Sequence, residues 1–179
     1  TARGDYKASV MITASHNPPD HNGLKLIGSD GSVLEPSEIR TIHALVEHEG
    51  PTEVEHQNRR TESPAEVGSV RRIEGTNQAY IESILDAVDR TTIQDAELSV
   101  VVDTGNGAGG LTAPYLFRQL GCEVRSLNVQ PDGSFPGRNP EPVKAELGDL
   151  MRAVGTSTAD LGIAHDGDAD RVIFVDETG

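Results

Sequence analysis

The sequence predicts an α/β protein in which a mainly parallel sheet carries helices on both faces, preceded by an incomplete α/β domain. Three observations predict it. From Leu98 onward, short apolar runs alternate with amphipathic stretches of helical length, the pattern of parallel strands joined by crossover helices. Residues 1–49 hold a second, shorter set of strand and helix signals, set apart by a polar stretch. The chain also starts at Thr1 without methionine and ends on Glu177-Thr178-Gly179 straight after an apolar run, so it reads as a piece of something longer.

Ser9-Val10-Met11-Ile12-Thr13 is a short buried-strand pattern that runs into Ala14-Ser15-His16-Asn17-Pro18-Pro19. The two prolines exclude a helix there, and Asn17 before Pro18 is pushed to extended geometry. Leu24, Leu26 and Ile27 alternate, and Ser29-Asp30-Gly31-Ser32 makes a turn. Residues 36–49 read as a helix, with Ser37 as cap and Ile39, Ile42, Leu45 and Val46 on one face. Residues 51–75 carry charge, Gln, Asn, Thr and two Arg-Arg pairs. They are expected to form an exposed connection with a short extended stretch at 67–73. A second helix starts at Thr76, with Tyr80, Ile81, Ile84, Leu85 and Val88 at helical spacing. The expected domains are therefore 1–75 and 76–179.

The second domain is the regular one. Strands are expected at 98–102, 123–129, 161–164 and 172–175. Helices are expected at 111–120, closed by Gly121, and at 142–154, closed by Gly155. In sheets of this kind the chemistry gathers at the carboxyl ends of the strands.

Composition narrows the function. Basic residues number 15 and acidic residues 29, a formal charge of −14. That balance argues against nucleic acid or an anionic membrane surface as partner, because both need cationic patches. No run approaches the roughly 20 apolar residues of a membrane span, and no secretory pattern opens the sequence. A cytoplasmic protein is expected. Cys122 is the single cysteine, which excludes an internal disulfide. Only Lys7, Lys25 and Lys144 among the basic residues are lysines. With the acid excess and 3% aromatic content, this points to a protein suited to high salt.

The densest chemical signal is His165-Asp166-Gly167-Asp168-Ala169-Asp170-Arg171, between two apolar strands. Three carboxylates at alternate positions repel one another unless a cation neutralises them, and hard divalent cations take oxygen ligands of this kind. An EF-hand reading places Asp166, Asp168, Asp170 and Glu177 at suitable spacing. It fails because Arg171 stands where the loop needs Gly and the flanks are strands. A phosphatase of the haloacid dehalogenase type also places Asp-x-Asp after a strand, but expects Thr or Val where Asp170 stands. Gly105-Asn106-Gly107-Ala108-Gly109-Gly110 matches a dinucleotide fingerprint, yet the next strand ends at Leu127-Asn128-Val129 without the acid that a ribose needs. A tight turn that packs backbones closely explains it better. The third constellation is Thr13-Ala14-Ser15-His16-Asn17-Pro18: a serine beside a histidine on a proline-stiffened loop is a plausible covalent phosphate carrier.

Taken together, Thr13-Ala14-Ser15-His16-Asn17-Pro18, Asn22-Gly23-Leu24-Lys25 and Asp166-Gly167-Asp168-Ala169-Asp170-Arg171 resemble the α-D-phosphohexomutase family. Val101-Val102-Asp103-Thr104-Gly105-Asn106-Gly107 and Pro131-Asp132-Gly133-Ser134-Phe135-Pro136 resemble segments of its second domain. His21, before Asn22-Gly23, and Gly137-Arg138-Asn139-Pro140 depart from the family pattern. The resemblance implies a fragment: the C-terminal part of domain 1 with the phosphoserine loop (1–75), then domain 2 with the metal loop (76–179). It implies movement of a phosphoryl group between the 1- and 6-positions of a hexose phosphate through phosphoserine 15, with a hexose 1,6-bisphosphate as intermediate. Phosphomannomutase and phosphoglucomutase are the first implied activities. Phosphoglucosamine mutase, or a fragment that only binds metal and phosphate, is the alternative. Ser15, Asp166, Asp168 and Asp170 are then the implied Mg²⁺ ligands, and Arg171 braces phosphate. His16 and Lys25 serve as proton-transfer or electrostatic partners. The open edges of an incomplete first domain also imply possible pairing with a second copy.

Overall fold

The computed structural model describes residues 6–48 and 69–179. The chain packs as two units. Residues 1–12 and 24–74 form the first; residues 13–23 and 75–179 form the second. The loop around Ser15 thus packs within the second unit, although in sequence it lies among the strands of the first.

In the first unit, β1 (Ala8–Ile12) and β2 (Leu24–Gly28) pair antiparallel, in a register from Ala8 opposite Gly28 to Ile12 opposite Leu24. Helix α1 spans Pro36–His48. Its cap differs from the expected one. Ser37 lies inside the helix, where its carbonyl accepts from the Thr41 hydroxyl. The Glu38 carboxylate instead reaches back to the Glu35 amide at 2.9 Å, half of a capping box ahead of Pro36 at the first helical position. Of the extended stretch expected at 67–73, residues 69–73 carry no strand, and the other two lie outside the described residues, as does most of the 51–75 connection.

The second unit holds the sheet. Its strands are β3 (Ser99–Asp103), β4 (Glu123–Leu127), β5 (Leu161–His165) and β6 (Val172–Val175), in the order β4-β3-β5-β6. The first three are mutually parallel, and β6 runs antiparallel to β5. Alternation along β3 splits the core. Val100 and Val102 face α2 (Thr76–Leu85) and α4 (Ala113–Gln119), burying Ile81, Leu85, Ala113 and Leu120 with Ile163. Val101 faces the other way, onto α5 (Gly148–Gly155), where Leu150 and Val154 are fully buried. Both faces of the sheet are therefore covered.

The second unit differs locally from the expected elements in three places. A short helix, α3 (Arg90–Asp95), is capped by Asp89, whose carboxylate accepts from the Thr92 amide and hydroxyl at 3.2 and 2.7 Å. The helix expected at 111–120 begins as a 3₁₀ turn at Ala108–Leu111 before α4. The helix expected from 142 starts only at Gly148, after a 3₁₀ turn at Lys144–Glu146. Glu146 is drawn back, its carboxylate accepting from the backbone and side-chain amides of Asn139 at 3.2 and 2.8 Å.

Candidate active site

The acidic loop joins β5 to β6, a hairpin whose turn lies at the carboxyl end of a parallel strand. Asp166 is fully buried, Asp168 half-buried and Asp170 exposed. Each offers a carboxylate oxygen within 4.8 Å of the others. A donor set made of carboxylate oxygens, with no nitrogen or sulfur, suits a hard divalent cation such as Mg²⁺.

Arg171 holds Asp166 in place. Its amide donates to Oδ1 at 3.1 Å and its Nε to Oδ2 at 3.0 Å. Burial penalises the Asp166 charge, yet the Arg171 hydrogen bonds, the Arg171 charge and the Ser15 hydroxyl outweigh it and hold the carboxyl below its ordinary value. His165, beside it, is pushed the other way. Burial, aided by the Arg138 charge and opposed by Asp166 and Asp103, lowers its pKa and so favours the neutral imidazole.

Ser15 meets this loop across 151 residues of sequence. Its Oγ donates to Asp166 Oδ2 at 3.3 Å, and His16 Nδ1 lies 3.3 Å from the same Oγ. The Thr13 amide closes the loop on the Gly23 carbonyl at 3.0 Å, and the Asn17 amide turns back to Ala14 at 3.1 Å. Ser15 itself is left-handed, with φ 56°, a region in which a non-glycine residue is strained. A cleft of about 240 Å³ opens beside His16, lined by Pro18, Asn139, Pro140 and Glu141. A larger cleft of about 480 Å³ runs along β6 beside Leu147, Met151 and Phe174, and contains none of the expected site residues.

The structure thus brings together Ser15, His16, Asp166, Asp168, Asp170 and Arg171 within one unit. Arg171 spends its Nε on Asp166 and leaves Nη1 3.8 Å from Glu141. Lys25 sits on β2 opposite Met11, in the other unit.

The glycine-rich turn after β3 supports the acidic loop by close backbone packing. A Cβ at Gly107 would collide with the Gly167 carbonyl, which accepts from the Ala108 amide at 3.0 Å. A Cβ at Gly167 would in turn collide with the Ser15 carbonyl. Sequence reasoning missed the pair that ties these loops to the sheet. Arg138 Nε donates to Asp103 Oδ2 at 3.0 Å, with 3% and 2% of the two side chains exposed. Its Nη2 donates to the His165 carbonyl at 2.6 Å. Arg138 and Asp103 are each a lone charge between neutral neighbours in the sequence, but nothing there pairs them across 35 residues.

Fold and site together define an α/β/α protein with an oxygen-rich centre at its strand ends, a serine turned into it. Residues 78–179 match the family profile described as phosphoglucomutase/phosphomannomutase, alpha/beta/alpha domain II, and residues 1–53 match that of domain I. The chain belongs to the phosphoglucomutase/phosphomannomutase family. It is 46% identical over 172 residues to a probable phosphoglucosamine mutase of Methanopyrus kandleri, covering 96% of this chain and 35% of the relative. It is also 46% identical over 170 residues to a phosphoglucomutase/phosphomannomutase of Thermococcus kodakarensis, covering 95% and 35%. Among solved structures, a putative phosphomannomutase from Thermus thermophilus superposes with a TM-score of 0.77 at 30% identity, covering 96% of this chain and 37% of that one. The chain spans about a third of the length of the curated relatives it matches.

Proposed function

We propose that this chain is the phosphoserine- and metal-bearing part of a phosphohexomutase that moves a phosphoryl group between the 1- and 6-positions of a hexose phosphate. Residues 1–75 would supply the phosphoserine part of domain 1, and 76–179 domain 2. The observation that carries the reading is the position of Ser15 Oγ, 3.3 Å from both a buried carboxylate oxygen and an imidazole nitrogen.

The residues divide the work. In the first half-reaction the phosphoryl group leaves Ser15 Oγ for a sugar hydroxyl; Oγ takes a proton from His16, and the hydroxyl's proton passes to solvent, from which His16 is reprotonated. In the second, the sugar's other phosphate returns to Oγ. Between the two the hexose 1,6-bisphosphate turns over in place. His16 Nδ1 stands where it can give Oγ a proton and take it back. Asp166, Asp168 and Asp170, with an oxygen at Ser15, would hold Mg²⁺. When bound, that ion neutralises phosphoryl charge, the help this chemistry needs most. Arg171 offers the phosphate its remaining guanidinium donors, and Lys25 serves as an electrostatic partner. Phosphoglucosamine is the second substrate reading, favoured by the name of the Methanopyrus relative.

The test is made in the full-length protein. Incubation with a hexose 1,6-bisphosphate should place phosphate on Ser15, read by peptide mass spectrometry, and Ser15→Ala should abolish turnover. Wild-type turnover by that variant removes Ser15 from the mechanism.

A further inference from the structure

We propose that Thr13 is a positioning residue that ties the Ser15 turn to the metal-loop carboxylate Asp168; this rests on the reading of Ser15 and Asp168 given above. Thr13 Oγ1 donates to Asp168 Oδ2 at 2.9 Å, across 155 residues of sequence. The same oxygen accepts from the Ser15 amide at 2.9 Å. A hydroxyl has one proton and two lone pairs, so the two bonds fix its orientation: proton to the carboxylate, lone pair to the amide. The bond to Asp168 has a charged acceptor and is the stronger kind.

This atom sits where the backbone needs help. Ser15 is held at φ 56°, and its amide donates to the hydroxyl two residues upstream. Thr13 cannot drift with it, because its own amide is pinned to the Gly23 carbonyl at 3.0 Å. One side of the hydroxyl therefore sets the turn that aims Ser15, and the other side touches a cation ligand. A shift of Asp168 on taking up a cation passes to the Ser15 amide through a single oxygen. Valine at this position keeps the shape and removes the link, while serine keeps the link.

Amide hydrogen exchange at Ser15, read by NMR on the whole chain, tests this. Without metal, Thr13→Val should speed Ser15 exchange about tenfold, the worth of one hydrogen bond, and Thr13→Ser should stay near wild type. Asp168→Ala should speed it in the wild-type background and add little in the Thr13→Val background, since both break one chain of contacts. Addition of Mg²⁺ should slow Ser15 exchange in wild type and Thr13→Ser but not in Thr13→Val. Wild-type exchange in Thr13→Val, or equal effects of Asp168→Ala in both backgrounds, overturns the proposal. If Thr13→Val does not fold, the Thr13→Ser and Asp168→Ala arms still decide it: fast exchange in the serine variant, or no effect of the alanine, overturns it. Absence of Mg²⁺ binding in wild type, with the metal-free pattern intact, would overturn the metal reading and leave the Thr13 link supported.

Discussion

Asp166 is fully buried and still charged because three groups converge on it: the Arg171 amide, the Arg171 guanidinium and the Ser15 hydroxyl. A buried carboxylate without such donors would protonate instead. Asp166→Asn keeps the shape and removes the charge, turning one oxygen into an amide that faces the Arg171 donors. We expect Mg²⁺ affinity to fall by at least tenfold, measured by calorimetry. We also expect stability to drop by about 1–3 kcal/mol, measured by urea unfolding, from the mismatched donors. Unchanged affinity would exclude Asp166 from the metal site.

At the scale of elements, the site depends on backbones that touch. Gly167→Ala would drive a methyl into the Ser15 carbonyl, and backbone cannot yield as a flexible side chain can. A loss of about 1–3 kcal/mol is expected, together with lengthening of the Ser15–Asp166 hydrogen bond in a crystal structure of the variant. An unshifted Ser15 loop would contradict it. Helix α3 gives a pH signature. The Thr92 hydroxyl and amide hold the Asp89 carboxyl below its ordinary 3.8. A depressed folded value means that the stabilising contribution is full above the ordinary carboxylate value and is lost as pH falls through the folded one. The Thr92 amide resonance should therefore titrate in acid along with Asp89, and should not do so in Asp89→Asn. Legibility in the sequence followed the same physics. Val100–Val102, Ile163 and the helices that bury Leu85 and Leu150 were readable, because apolar periodicity records burial directly. So was the acidic loop, because crowded like charges need a reason. The late start of α5 was not, since it follows from Glu146 turning back to Asn139, a contact that no local pattern encodes. Arg138–Asp103 was missed for a similar reason: a buried ion pair needs a partner that lies 35 residues away.

For the whole molecule, Arg138 is the stitch between strands. It joins the end of β3, through Asp103, to the end of β5, through the His165 carbonyl. Arg138→Met leaves the Asp103 charge buried without its ion-pair partner, and about 3–5 kcal/mol of stability should be lost. Arg138→Met with Asp103→Leu should recover part of that loss in urea unfolding. Recovery stays partial because the Gly105 amide and the Asn128 side chain also donate to Asp103. A single-variant loss below about 1 kcal/mol would mean that the pair is weaker than its burial implies.

The β5–β6 hairpin gathers all three carboxylates within a few residues, whereas the serine arrives from 151 residues away. Local contacts form cheaply and distant ones must first close a long loop. Folding should therefore build the acidic loop early and seat the serine late. Substitutions at Ile163 should slow folding, while Thr13→Val should mainly change the unfolding rate. For a time the nascent protein would carry an assembled cluster of carboxylates with no hydroxyl against it. The Ser15 hydroxyl would then meet its carboxylate partner only when the last part of the chain settles.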